Sequence, residues 1–148
     1  VTDSALAIQV LRSKHNVNLQ NIIVDEDGVG GGVKDILGCK GFVNNSRAVK
    51  VAGQQQNFAS LKDQCYYKLS EMINANMMAV DLPHEIKVLL TQELEQVKLP
   101  AEIDTQRIKL VNKDTIKKII GRSPDYSDAL MMRIFFELNP HSGVYHIR

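Results

Sequence analysis

The chain has 148 residues, of which 44% are hydrophobic and 24% charged, with 18 basic and 17 acidic side chains. This length and composition predict one globular domain and exclude a disordered or collagen-like chain. No apolar run approaches the roughly 18 residues that a membrane span needs, and the charged, amphipathic first residues are unlike a secretory signal. We therefore expect a cytoplasmic protein in which Cys39 and Cys65 stay reduced.

The predicted elements begin with a helix over residues 2–15, where apolar side chains recur at helical spacing. A β-branched run at 21–24 follows and predicts a buried strand that ends at Asp25. A glycine-rich loop then leads into a short helix over 33–37. This order of strand, glycine loop and helix is typical of an α/β fold.

The middle of the chain predicts further strands and helices. Short apolar runs predict strands over 47–52 and 77–82. Apolar stripes at helical spacing predict a long helix over 58–76 and another helix that opens at Pro83. Polar and apolar residues alternate over 107–111, which predicts a strand with one face in water.

Local end signals define the last two helices. Asn112 is a good N-cap for a short helix, and Gly121 is a typical residue after a helix end. Ser123 and Pro124 predict the start of the final helix, because serine suits the cap and proline the first turn. Pro140 predicts where that helix ends.

Although the total charge is near neutral, acidic and basic residues are concentrated in two different segments. Residues 81–104 carry six acids against two bases, whereas residues 107–122 carry one acid against six bases, namely Arg107, Lys109, Lys113, Lys117, Lys118 and Arg122. A basic stretch of this kind forms either a surface that faces phosphates or a solvated helix face. Charge alone leaves both interpretations open.

Asp25 is the first candidate site residue, because ligand sites in α/β sheets lie beyond the carboxyl ends of strands. It is favoured over Asp27 because it ends the predicted strand. Asp25 is either a metal ligand or the start of a solvated loop. The following glycines match neither a Walker A loop nor a dinucleotide fingerprint, because Asp35 follows Lys34 and Val33 stands at the third glycine position.

Asp125 and Asp128 form the second candidate, three residues apart on the predicted last helix and therefore on one face. Helix capping explains Asp125 fully. It does not explain Asp128, which directly precedes the apolar stripe, where an acid needs a partner or a metal. Carboxylates from a strand end and a helix start predict a two-metal site for Mg²⁺ or Mn²⁺.

Two segments resemble motifs of one known family. Residues 22–37, IIVDEDGVGGGVKDIL, resemble the strand-plus-glycine-loop acid motif of the large terminase subunits of tailed phages. Residues 113–130, which end in GRSPDYSDAL, resemble the closing motif of the same nuclease domain. The long helix between them also agrees, so the resemblance covers essentially the whole chain.

The resemblance implies an RNase H-like α/β fold, of the retroviral-integrase and Holliday-junction-resolvase type, with a mixed sheet flanked by helices. It implies an endonuclease that cuts double-stranded concatemeric DNA during genome packaging, with two Mg²⁺ or Mn²⁺ ions. Asp25 matches the acid of the glycine-loop strand, Asp128 the acid of the last helix, and Asp125 the position one turn earlier. The residues expected near the DNA phosphates are Lys113, Lys117, Lys118 and Arg122.

In this family another catalytic aspartate lies on a strand upstream of the opening helix. The resemblance therefore implies that residues 1–148 are a single C-terminal domain of a longer phage or prophage protein, without the ATPase domain and the first catalytic strand. It implies double-stranded DNA, the terminase small subunit and the portal protein as partners, and self-association through an open sheet edge. The alternative is a non-catalytic DNA- or partner-docking module with a degenerate RNase H-like fold.

Overall fold

The computed structural model describes residues 1–27, 30–100 and 106–139. The chain divides into two compact units, Val1–Ser46 and Arg47–Arg148. The single-domain organisation expected from the sequence stays a prediction. The predicted helix end at Pro140 lies outside the described residues. Among the residues described, no helix combines the length and the apolar character that crossing a membrane requires.

The first unit is built around a β–α–β arrangement that follows an opening helix. Its elements are α1 (Thr2–Lys14), a 3₁₀ helix (Leu19–Asn21), β1 (Ile23–Asp25), α2 (Gly30–Leu37) and β2 (Lys40–Phe42). The strands β1 and β2 pair in parallel, with Asp25 opposite Phe42. The helix α2 packs on α1 and on both strands, around a core of Ala5, Val33, Leu37 and Cys39.

Gly30 allows the first turn of α2 to approach the end of β1. A Cβ atom on Gly30 would lie 1.5 Å from the carbonyl oxygen of Asp25. No side chain fits this space without a shift of the backbone. Gly30 is therefore required because the start of α2 packs closely against the end of β1 at Asp25.

The second unit is helical. Its elements are α3 (Leu61–Asn74), α4 (His84–Leu94), α5 (Lys113–Ile120), α6 (Asp125–Arg133) and the short α7 (Phe135–Leu138). The helix α6 packs against both α3 and α4, while α5 packs on α4 and α7 on α3. The buried apolar residues of this unit include Leu61, Cys65, Leu69, Leu90, Ile116, Met131, Ile134 and Leu138.

The residues at the ends of α3 and α5 adopt the capping arrangements that their sequences predict. The side chain of Ser60 accepts a hydrogen bond from the backbone N–H of Asp63 at the start of α3. Asn112 accepts in the same way from Thr115, and Gly121 ends α5 with φ +73°. These contacts satisfy N–H groups that have no partner within the helix. The predicted serine cap at Ser123 is wrong, because α6 begins one residue later, after Pro124.

The three strands predicted in the second unit are wrong. Residues 47–52 form only an isolated bridge between Val51 and Gln54, and residues 107–111 contribute one bridge, from Ile108 to Phe58. Residues 77–82 have no regular structure. In the described part of the chain the sheet consists of β1 and β2, so the α/β class is confirmed and a mixed sheet stays a prediction.

Candidate active site

The carboxyl ends of β1 and β2 bring three polar side chains together. The amide nitrogen Nδ2 of Asn44, which follows β2, donates to Asp25 Oδ1 at 3.2 Å and to Asp27 Oδ2 at 2.8 Å. The backbone N–H of Asp27 also donates to Asp25 Oδ1, at 3.1 Å. Parallel strands end at one sheet edge, which explains the convergence. Two carboxylates and one amide therefore meet at this edge.

Asp128 lies in the second unit, on the first turns of α6, and is surrounded by donors. Lys113 forms an ion pair with its Oδ2, while Lys62 Nζ lies 3.1 Å from Oδ1. The hydroxyl of Tyr66 donates to the same Oδ1 at 2.8 Å. Burial raises the pKa of Asp128, but the two lysines and the tyrosine lower it more, so the net pKa lies below its ordinary value. Asp128 is therefore a carboxylate at neutral pH.

Tyr66 stays protonated beside this carboxylate. Its burial and the negative charge of Asp128 raise its pKa, although a hydrogen bond with Ser127 lowers it. The Tyr66 and Ser127 hydroxyl oxygens are 3.0 Å apart. Tyr66 is therefore held as a hydrogen-bond donor towards Asp128.

A buried acid on α4 completes this network. Glu93 has 0% of its surface exposed and forms an ion pair with Arg122. Its other oxygen, Oε2, accepts from the backbone N–H of Ser127 at 2.6 Å. Pro124 provides no side-chain cap for α6. Glu93 therefore caps α6 from a neighbouring helix and fixes the turn that carries Asp128.

The structure separates the predicted site residues into different environments. Asp25 belongs to the first unit and Asp128 to the second. Asp125 begins α6 with an exposed side chain. A shared site for these three acids stays a prediction.

The predicted DNA-binding residues also differ from one another. Lys113 pairs with Asp128, and Arg122 pairs with the buried Glu93. Lys117 and Lys118 are exposed in the last turn of α5. Of the four, only these last two side chains have the solvated arrangement that is one of the two interpretations of the basic stretch. The DNA-binding role of all four residues stays a prediction.

The donor chemistry of this structure fits a hard divalent cation better in one unit than in the other. Within residues 1–27, 30–100 and 106–139, no three Asp, Glu, His or Cys side chains form a cluster that could hold a metal ion. Asp25 and Asp27 offer the carboxylate oxygens that Mg²⁺ and Mn²⁺ prefer, while Asn44 holds these two side chains together by donating its amide N–H groups to both. At Asp128, two ammonium groups already balance the carboxylate. A cation can bind there if it displaces a lysine.

Sequence reasoning missed several members of these two groups. Asn44 would follow from its place beyond β2, had that strand of three residues been predicted. Lys62 and Tyr66 are one helical turn apart on α3, which is a signal for a shared face. Glu93 carries no local signal, because its partners lie 29 and 34 positions further along the chain.

Two of the comparisons with known proteins found nothing. No protein-family model matches the sequence. No curated protein sequence matches it either.

Solved structures do match this chain. A lysine-to-alanine mutant of the nuclease domain of the large terminase subunit of bacterial virus Sf6, with manganese, superposes with a TM-score of 0.62 at 19% identity. The match covers 76% of this chain and 64% of that one. The nuclease domain without that mutation gives 0.61 at 20% identity, with coverage of 76% and 63%. A mutant structure with calcium gives the same values.

These similarities confirm the fold resemblance that the two sequence motifs predict. The chain spans about two thirds of the nuclease domain it matches, or 64% in the manganese structure. Identities of 19–20% are compatible with a shared fold and leave the chemistry to be argued from the site. The chain thus has the α/β fold of a phage terminase nuclease domain.

Proposed function

We propose that this chain is part of the nuclease domain of a phage or prophage terminase large subunit. In this proposal it is a metal-dependent endonuclease that cuts double-stranded concatemeric DNA during genome packaging in the bacterial cytoplasm. The observation that carries the proposal is the similarity to the Sf6 terminase nuclease domain, with a TM-score of 0.62 over 76% of the chain. The terminase small subunit and the portal protein are the proposed partners.

The proposed ligands of two Mg²⁺ or Mn²⁺ ions are Asp25 and Asp128, with an upstream aspartate as the third acid. Asp125 ligates an ion or orients a ligand. When bound, such ions lower the pKa of a water nucleophile and stabilise the leaving oxygen of the phosphodiester. The manganese and calcium in the matched structures support a divalent cation.

The side chains around Asp128 support this role in three ways. Lys62 and Lys113 help to lower the pKa of Asp128, so that it is a carboxylate at neutral pH, and a cation that binds it takes the place of one of these lysines. Their ammonium groups also place positive charge where a phosphodiester would approach. The exposed Lys117 and Lys118 extend that charge along α5 towards the DNA backbone.

The test is cleavage of supercoiled plasmid in the presence of manganese. The proposal requires a third acid upstream of Val1, so the assay uses the protein together with the upstream segment that the proposal requires. We expect Asp25→Asn and Asp128→Asn each to reduce cleavage by at least about 100-fold, because each removes a charged metal ligand. Circular dichroism checks that the variants are folded.

Matched control variants distinguish the loss of a metal ligand from the loss of any single negative charge. Asp35 on α2 and Asp114 on α5 are exposed acids near the two candidates in sequence. Asp35→Asn and Asp114→Asn should cut plasmid at the wild-type rate. Folded Asp25→Asn or Asp128→Asn proteins that cut as well as their controls would disprove the catalytic assignment.

A second candidate function is a DNA- or partner-docking module without catalysis. The observation in its favour is the charge balance at Asp128, where Lys62 and Lys113 already compensate the carboxylate. A docking module binds duplex DNA with a steep salt dependence and without metal. If no form of the folded protein cuts DNA but DNA binding persists in EDTA, this function replaces the first.

A further inference from the structure

One oxygen of Asp128 is held by a chain of two buried hydroxyl groups. The Tyr66 hydroxyl donates to Asp128 Oδ1 at 2.8 Å, and its oxygen lies 3.0 Å from Ser127 Oγ. A phenol has a single hydrogen, so the hydrogen between Tyr66 and Ser127 comes from the serine. Tyr66 is 5% exposed and Ser127 is fully buried. The hydrogen bond to Oδ1 therefore has a defined direction and is shielded from water.

The serine at the start of this chain is itself fixed in place. Its backbone N–H donates to Oε2 of the buried Glu93 at 2.6 Å, and its hydroxyl also lies 3.1 Å from the carbonyl oxygen of Pro124. Ser127 directly precedes Asp128 on α6. The turn that carries the carboxylate therefore also carries the group that orients Tyr66, and a satisfied network of this kind is rigid.

The two lysines at Asp128 are held less firmly than the tyrosine. The side chains of Lys62, near Oδ1, and Lys113, at Oδ2, are 23% and 35% exposed, and each ammonium group ends a flexible stem. An exposed ammonium group exchanges a carboxylate for water at little cost, whereas a buried hydroxyl that loses its acceptor stays unsatisfied. Oδ1 therefore keeps its hydrogen bond from Tyr66 when a cation approaches. Oδ2 is the oxygen that becomes free.

Divalent cations differ in how they use the two oxygens of one carboxylate. Mg²⁺ and Mn²⁺ prefer octahedral sites, and Mg²⁺ demands this geometry closely. Ca²⁺ accepts a larger and more variable set of oxygens and binds a carboxylate through one oxygen or both. A carboxylate with one oxygen occupied by a hydrogen bond offers a single ligand. This arrangement suits the smaller, octahedral ions.

We propose that Tyr66 is a positioning residue that sets the cation preference of the Asp128 site. By holding Oδ1, its hydroxyl leaves Oδ2 as the one oxygen offered to a cation and so favours Mg²⁺ or Mn²⁺ over Ca²⁺. Ser127 orients that hydroxyl. This inference rests on the proposed function, because it assumes that Asp128 binds a divalent cation.

The experiment measures Mn²⁺ and Ca²⁺ affinities by calorimetry, on the protein with the upstream segment used in the cleavage assay. The variant Tyr66→Phe removes the hydroxyl and keeps the ring, whose centre lies 5.7 Å from Lys62 Nζ. Ser127 keeps the Pro124 carbonyl as a partner. The substitution therefore leaves no buried hydroxyl without a hydrogen bond among these residues.

We expect Tyr66→Phe to weaken Mn²⁺ binding about 10-fold, because a group that orients a metal ligand is lost. Ca²⁺ should bind as well as before or more tightly, because it can use both oxygens of the released carboxylate. The ratio of Mn²⁺ to Ca²⁺ affinity should therefore fall about 10-fold. A substitution that only loosens the fold weakens both ions together and leaves this ratio unchanged.

Tyr67 provides the matched control, because it is the next residue of α3 and its ring contacts Phe58, with the ring centres 5.3 Å apart. Tyr67→Phe should keep the wild-type affinities for both ions. Ser127→Ala is a second test variant. It removes the hydroxyl behind Tyr66 and should lower the ratio in the same direction. Circular dichroism checks that each variant is folded.

A second comparison tests whether Tyr66 acts through Asp128. In Asp128→Asn protein, the addition of Tyr66→Phe should leave both residual affinities unchanged, since the carboxylate that the hydroxyl orients is already gone. A ratio that also falls in this background would overturn the inference, because Tyr66 would then act on another ligand.

The failure of this inference differs from the failure of the proposed function. An unchanged ratio in folded Tyr66→Phe and Ser127→Ala proteins, with Mn²⁺ binding that still depends on Asp128, would reject the role of Tyr66 and retain the metal site. Mn²⁺ binding that is equally strong in Asp128→Asn protein would reject Asp128 as a ligand, and the inference with it.

Discussion

Asp128 is a carboxylate whose charge is stabilised by three neighbours at once. Burial alone would favour its neutral form, yet Lys113, Lys62 and Tyr66 together lower its pKa below 3.8, the ordinary value. A group with a lowered pKa in the folded protein stabilises the fold above its unfolded pKa. This contribution disappears as the pH falls through the lower, folded pKa.

The first prediction concerns the stability of Asp128→Asn in EDTA. At pH 7 the variant should unfold with a free energy about 1–3 kcal/mol lower than wild type, because charged hydrogen bonds are lost. The difference should shrink as the pH falls below 3.8, where wild type also loses its charge. Urea unfolding at several pH values measures this.

The control is again the exposed Asp114. Asp114→Asn should differ from wild type by less than about 0.5 kcal/mol throughout the pH range. A stability difference for Asp128→Asn that stays constant from pH 7 to pH 2 would contradict the ion-pair explanation. It would instead indicate that the amide disturbs packing.

At the scale of elements, Glu93 joins α4 to the start of α6 and to the end of α5. It is fully buried, pairs with Arg122 and accepts from the N–H of Ser127. Removal of one partner from a buried ion pair leaves the other charge uncompensated and costs about 3–5 kcal/mol. Glu93→Ala should therefore lower the melting temperature by roughly 10 °C.

The double variant Glu93→Ala/Arg122→Met tests this cause directly. It should be more stable than the sum of the single effects predicts, since no unpaired charge remains. Glu95, exposed at the end of α4, provides the matched control, and Glu95→Ala should melt near wild type. A Glu93→Ala protein that melts within about 2 °C of wild type would show that α6 needs no cap from α4.

Elements with strong local signals are the ones that sequence reasoning predicted. Asn112 and Gly121 stand at the ends of α5 and define it without help from the rest of the fold. The strand predicted over 47–52 failed because Ala52 and Gly53 both take positive φ and turn the chain back. An apolar run alone does not indicate such a turn, and β2 was not predicted because its sequence, Lys-Gly-Phe, lacks the β-branched run that marks β1.

The same distinction applies to the candidate site. Asp25 and Asp128 could be chosen from strand-end and helix-start positions, which are local properties. Their partners could not, because Lys62 reaches Asp128 only through the packing of α3 on α6. The resemblance assigns Arg122 to DNA, which stays a prediction, and the structure adds an ion pair with Glu93 that no sequence pattern indicates. Contacts between distant segments decide what a charged residue does.

At the scale of the whole molecule, each of the two units contains one of the two acids that are proposed to bind the metal ions. The first holds Asp25 beside Asp27 and Asn44, and the second holds Asp128 between two lysines. If Asp25 and Asp128 ligate the same ions, their substitutions must act on one binding event. If each unit acts alone, the effects must be independent.

A double-mutant cycle on manganese affinity, measured by calorimetry, makes this distinction. We expect Asp25→Asn and Asp128→Asn each to weaken binding at least about 10-fold, because each removes a charged oxygen ligand. The double variant should bind manganese nearly as well as the weaker of the two single variants. The second substitution then has little effect because the first has already removed a ligand from the same site. Asp35→Asn, at the exposed acid of α2, should leave the affinity unchanged. Two binding events in the wild type, of which each single variant loses only one, would mean that the two acids serve separate sites, and the shared two-metal centre would then be rejected.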